Sequence, residues 1–142
     1  MPIDVLPVLA IDDDADALSD VEKAFPGIVR ALCLSSSGLG NGESYLERAL
    51  RVLRGGKPQV LVLDLKWYKD GKTNDAFRFL RQAGAENLLD GVTIVIWSRY
   101  LGEAEKDLKR HSDILLRQYK VRTIERVPKP TVPPLSKWVE YA

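Results

Sequence analysis

At 142 residues, with 45% hydrophobic and 29% charged side chains, the chain has the length of one domain and the composition of an ordinary globular protein. Its 21 Lys and Arg stand against 20 Asp and Glu, which excludes an overall field that would draw it to nucleic acid or acidic lipid. A single cysteine excludes an intramolecular disulfide, and the opening MPIDVLPVLAIDDDAD has neither the basic start of a secretory signal nor the length of a membrane span, so a cytoplasmic location off the membrane is expected.

Taken in order, short apolar runs alternate with segments of helical period. VLPVLAI (5–11) reads as a first strand, and Leu18, Val21 and Phe25 share one face of the helix after it. IVRALCL (28–34) reads as a second strand with Cys33 buried and inert. The glycine-rich SSSGLGNGES (35–44) fits neither GxGxxG nor a P-loop and is taken as a strand-to-helix loop. Leu46, Leu50 and Leu53 mark a second helix, and Phe77, Leu80 and Ala83 a third. Between and beyond them QVLVLDL (59–65) and VTIVIW (92–97) are apolar enough to be strands buried on both faces. Leu101, Leu108 and Leu115 mark a fourth helix, and RTIERV (122–127) a fifth strand. The basic stretch KRHSDILLRQYKVR (109–122) is read as the wet face of that helix, and His111, the one histidine, as surface or packing rather than a ligand. PPLSKWVEYA closes the chain as a short, atypical helix over 133–142. Five alternations of strand and helix predict an α/β fold: one open, parallel, five-stranded sheet with helices on both faces, a single domain over 1–142 with its core at 5–130.

The polar residues fall where such a sheet gathers its ligands, beyond the carboxyl ends of the strands at the switch in winding direction. The first strand runs into Asp12, Asp13 and Asp14, the third into Asp64, the fourth into Ser98 and the fifth into Lys129. Asp14 is read as the cap of the first helix. In the strand order 2-1-3-4-5 the other residues share one rim. Crowded carboxylates repel unless a cation lies between them, and hard oxygen donors without His or Cys favour Mg²⁺. In RVPKP (126–130) the flanking prolines hold the backbone of Lys129 extended and give its side chain a directed exit.

VLAIDDDAD, VLVLDL, IVIWS and VPKP, in that order on those strands, resemble the receiver domain of two-component response regulators from about Val5 to Pro130. The resemblance implies a flavodoxin-like fold and a Mg²⁺-dependent phosphoacceptor at Asp64, charged by a sensor histidine kinase or a histidine phosphotransfer protein. It implies Mg²⁺ held by Asp12, Asp13, Asp64 and the main-chain carbonyl of Lys66, with Ser98 and Lys129 on the phosphoryl oxygens and a cis Lys129–Pro130 bond. Such a domain phosphorylates and dephosphorylates itself and signals by conformational change, and is not a turnover enzyme. It reads out through a homodimer or a downstream effector, which a longer chain can carry on its C-terminal side, and contacts no nucleic acid directly.

There are departures from the family pattern. Arg99 follows Ser98 where the family prefers a small residue, and LKWYKDGKTND (65–75) lacks the usual proline. Arg126 replaces an aromatic switch; a permanent charge is costly to bury, so it is expected at the surface, covering apolar neighbours with its stem or paired with a carboxylate such as Glu103, Glu105 or Asp107. Two other readings stay open. One is a phosphorylation-independent pseudo-receiver acting as a protein-interaction module. The other is a haloacid-dehalogenase-type phosphatase built on Asp12-x-Asp14, which wants a further acidic motif where only Glu140 follows Lys129.

Overall fold

The computed structural model describes residues 6–34, 45–65, 67, 75–99, 101–102 and 104–139. Five strands, β1 (Val8–Asp12), β2 (Val29–Cys33), β3 (Val60–Leu63), β4 (Thr93–Ser98) and β5 (Thr123–Pro128), form one sheet in the order β2-β1-β3-β4-β5 with every pair parallel. Four helices alternate with them: α1 (Ala15–Ala24), α2 (Tyr45–Arg54), α3 (Asp75–Ala85) and α4 (Glu105–Gln118). This is the predicted flavodoxin-like arrangement. Each β–α–β crossover joins parallel strands; the one from β2 passes over β1 to reach β3, so the winding reverses between β1 and β3.

The central strands are apolar on both faces because helices cover both. Every residue of β1, β3 and β4 is buried, whereas β5, at an edge, buries only Val127. One core layer joins Leu9, Ile11, Leu61, Leu63 and Ile94 to α2, α3 and α4. The other joins Val8, Ala10, Val60, Val62, Val95 and Trp97 to α1 and the C-terminal segment. Burying each large aliphatic side chain stabilises the fold by roughly 1.5–3 kcal/mol.

Local chemistry sets the element ends. β1 begins at Val8, later than the apolar run suggests, because Pro7 has no N–H for the ladder; its carbonyl accepts from Gln59 and Val60 at 2.8 and 3.0 Å. The carboxylate of Asp14 accepts from the Asp16 and Ala17 amides at 3.0 and 3.3 Å and caps α1 as expected. Cys33 closes the other edge strand and is half-buried rather than buried, its thiol 3.9 Å from the Asp13 carbonyl.

The segment expected as a helix over 133–142 is a three-residue 3₁₀ turn, Leu135–Lys137, with residues 140–142 outside the described range. Pro133 and Pro134 supply no N–H donors, so the turn tightens onto their carbonyls. Leu135 and Val139 still seal the α1 face beside Trp97. On the opposite face Tyr119 lies flat on α3 at Gly84, where a Cβ would come 2.3 Å from the Tyr119 ring; only glycine permits that approach. Among the described residues, no helix is long and apolar enough to cross a membrane.

Candidate functional site

Because the strands are parallel, their carboxyl ends meet at one rim. Asp12 ends β1, Asp64 follows β3, Ser98 ends β4 and Lys129 follows β5. Carboxylate oxygens of Asp12, Asp13 and Asp64 lie within 4.8 Å of one another; the β1–β3 pairing brings Asp64 to the adjacent Asp12 and Asp13 from 52 positions beyond Asp12. Lys129 reaches over them: its Nζ donates to Asp12 Oδ2 at 2.7 Å and to Asp64 Oδ2 at 3.1 Å, with the side chain 4% exposed. The expected aim at Asp64 is therefore shared, and Asp12 is the closer partner. Lys129–Pro130 is cis.

The remaining lone pairs are used locally. Asp12 Oδ1 accepts from the Asp14 amide at 3.1 Å, and Asp64 Oδ1 from the Leu65 amide at 2.7 Å. Burial pushes the Asp12 carboxyl up to about 7, with Lys129 pulling it down and Asp64 pushing it further up. For Lys129, burial works against the charge, but Asp12 and Asp64 outweigh it and hold the ammonium above its usual value. Lys129 Nζ thus contacts two of the three carboxylates, Asp12 and Asp64. The donor set, all oxygen and without nitrogen or sulfur, fits a hard divalent cation. Lys66, expected to add a main-chain carbonyl, lies outside the described residues.

Ser98 is buried at the same rim, 1% exposed, and its carbonyl accepts from the Lys129 amide at 3.2 Å, which ties the ends of β4 and β5 together. Arg99 is exposed. Arg126 is at the surface, as its charge requires, with Nη1 3.9 Å from Glu105 Oε1; Glu103 lies outside the described residues. His111 sits away from the rim, stacked on Phe77.

Two tryptophans shape the site from within the core. Trp97 is 2% exposed; its Nε1 donates to the Thr131 carbonyl at 2.7 Å, and Lys129 Nζ lies 5.2 Å from the ring centroid. It thereby holds the turn carrying Lys129 against β4 and gives the ammonium an aromatic face. The signal available was strand alternation, which turns Trp97 away from the side of Ser98 and into the α1 layer. Trp67 is fully buried against Phe79, ring centroids 5.6 Å apart, and donates to the Asp64 carbonyl at 3.1 Å. The chain after Asp64 is thus anchored by a core aromatic.

No protein-family model matches the chain, and no curated protein matches it. The parallel five-stranded sheet and its acidic cluster are compatible with a receiver domain.

Proposed function

We propose that the protein is a response-regulator receiver domain that accepts a phosphoryl group on Asp64. The observation that carries this reading is Lys129, drawn from the far end of the chain onto Asp12 and Asp64 within a cluster of three carboxylates. An Asp64 oxygen attacks the phosphorus of a phosphohistidine or a small acyl phosphate; the P–N or P–O bond breaks, its electron pair leaves with the imidazole or carboxylate, and an aspartyl phosphate remains. Lys129 pairs with one phosphoryl oxygen and the Ser98 hydroxyl donates to another. Asp12, Asp13 and Asp64 would hold Mg²⁺, which supplies charge neutralisation for the transferring group. The protein's share is in-line positioning and electrostatics, and losing one such donor commonly costs about 3 kcal/mol of barrier.

The partner is a histidine kinase or a histidine phosphotransfer protein, and the signal a shift of the Ser98–Glu105 segment and of the chain after Asp64. Arg126, exposed beside Glu105, does not take the inward swing of an aromatic switch, because burying its charge is costly. Trp67, bonded to the Asp64 carbonyl, is the reporter. Intact mass after incubation with acetyl phosphate and Mg²⁺ tests the reading: one phosphoryl adduct, absent in Asp64→Asn and in chelator, is expected. An adduct that persists in Asp64→Asn overturns it.

The contact between Lys129 and Asp12 favours a second reading, in which the rim is partly neutralised without metal and the domain serves as a phosphorylation-independent interaction module. Failure to bind Mg²⁺ by isothermal calorimetry, together with absence of the adduct, would select it.

A further inference from the structure

A cavity of about 440 Å³ lies between α2, α3 and α4, apart from the carboxylate rim. Arg78 and Arg81 enter it from α3, and Arg110 and His111 from α4. Among the described residues, no carboxylate lines it. Arg81, Arg110 and the His111 imidazole give this lining a positive potential that would attract an entering anion. Two further observations concern the residues that line it. Arg81 Nε and His111 Nδ1 are buried without a hydrogen-bond partner, although orphaned buried polar atoms are uncommon and costly. The His111 ring is stacked on Phe77, centroids 4.4 Å apart and planes 9° from parallel, so one of its nitrogens is held in fixed register with α3.

The charges around His111 come from both helices. Burial holds its imidazole below the usual value, Arg110 and Arg81 depress it further, and Asp107 works in the opposite sense. Asp107 accepts from Arg110 Nη2 at 3.1 Å, and that pair is largely exposed. Nearby, Glu86 is engaged by Arg54 and Gln82. These carboxylates stand outside the cavity lining.

We infer that this cavity binds a small phosphorylated molecule, with Arg81 and Arg110 forking onto phosphoryl oxygens and His111 completing the anion site. Planar guanidinium matches phosphoryl oxygens bidentately, and the volume lies in the range of small-molecule pockets. Tyr119, packed on Gly84, forms an aromatic wall against which the rest of the molecule rests. The shared chemistry is the phosphoryl oxyanion; it can arrive on a nucleotide or as free polyphosphate, and the two are separable.

His111 is the one histidine in the chain, so its Cε1–H proton resonance reports this cavity without overlap. The full-length chain is titrated with AMP and with pyrophosphate, without divalent ions so that the carboxylate rim attracts neither. The His111 signal is expected to move saturably with a midpoint below about 1 mM for at least one of them. Its own titration midpoint should rise on binding, since the ligand offsets Arg110 and Arg81. Movement with AMP alone identifies a nucleotide site; movement with pyrophosphate identifies the phosphoryl group itself as sufficient. Arg81→Gln should weaken binding about tenfold. The exposed Arg110→Gln, which leaves the fold intact even where Arg81→Gln does not, should weaken it severalfold. Absence of saturable movement with both probes up to about 10 mM overturns the inference. So does an affinity left unchanged by Arg110→Gln.

Discussion

The rim of the sheet and the cavity between the helices treat charge in opposite ways. At the rim, Lys129 answers the carboxylates of Asp12 and Asp64 directly, at 2.7 and 3.1 Å, with its side chain almost wholly removed from water. In the cavity, Arg78, Arg81, Arg110 and His111 share a space with no carboxylate among its described lining. At the rim, removing Lys129 strips two buried carboxylates of their cation; in the cavity, removing Arg81 takes away one of several neighbouring basic groups. The difference separates a buried ion-pair network from basic side chains that line an accessible space.

Lys129→Met tests this contrast with the largest expected effect. It leaves Asp12 and Asp64 buried without their ammonium and should lower stability by about 3–5 kcal/mol at neutral pH, read by urea denaturation, while the protein still folds. Arg81→Met, one of the like charges, should cost no more than about 1 kcal/mol. Equal losses in the two variants would erase the distinction.

The wall of the cavity offers a second test. Gly84→Ala should improve helix propensity by about 1 kcal/mol. The new Cβ, however, meets Tyr119 at 2.3 Å, and the resulting overpacking should cost roughly 1–3 kcal/mol. A net fall in thermal midpoint is expected, and a gain would show that Tyr119 swings clear.

The rim should also respond to pH. Asp12 has an ordinary value of 3.8 but is pushed up to about 7 in the fold, so across that window the folded chain binds more protons than the unfolded one. Stability without metal therefore falls as the pH rises through this range. Denaturation midpoints measured across it, with and without MgCl₂, check the sign. Mg²⁺ should restore stability near pH 7 more than near pH 5, because only the charged carboxylate is a good ligand.

The smallest effect belongs to the surface. Glu86 accepts from Arg54 at 2.6 and 2.7 Å and is held down to about 2, chiefly by that hydrogen bond and then by Gln82. Its contribution is present above its ordinary 4.5 and is lost as the pH falls toward about 2. With both partners in water, Arg54→Met should scarcely move the urea midpoint at neutral pH. A large shift would place this pair with the rim rather than with ordinary surface charge.

The fold was legible because its strongest signals are local. VLVL and TIVIW are apolar on both faces, which only a strand covered on two sides requires, and Leu46, Leu50 and Leu53 repeat at the period of a single buried helix face. The order of Asp12, Asp64, Ser98 and Lys129 at successive strand ends was equally readable, since a parallel sheet brings all its carboxyl ends to one edge. The exposed position of Arg126 followed from the cost of burying a permanent charge.

Other features depend on distances that no local pattern contains. Lys129 and Asp12 are 117 positions apart, and the closer contact to Asp12 than to Asp64 is set by how β5 packs beside β4 and how Trp97 holds Thr131. The stretch 109–122 reads as a solvated basic face because helical spacing alone cannot say what stands opposite; packing α4 across α3, with Tyr119 admitted by Gly84, turned part of that face into the wall of a cavity. By itself the sequence determined which residues are apolar, which are charged and in what order the strands present them. Tertiary structure alone decided which charges meet and which line a cavity, because Coulomb energy depends on separation and desolvation, and both are properties of the assembled fold.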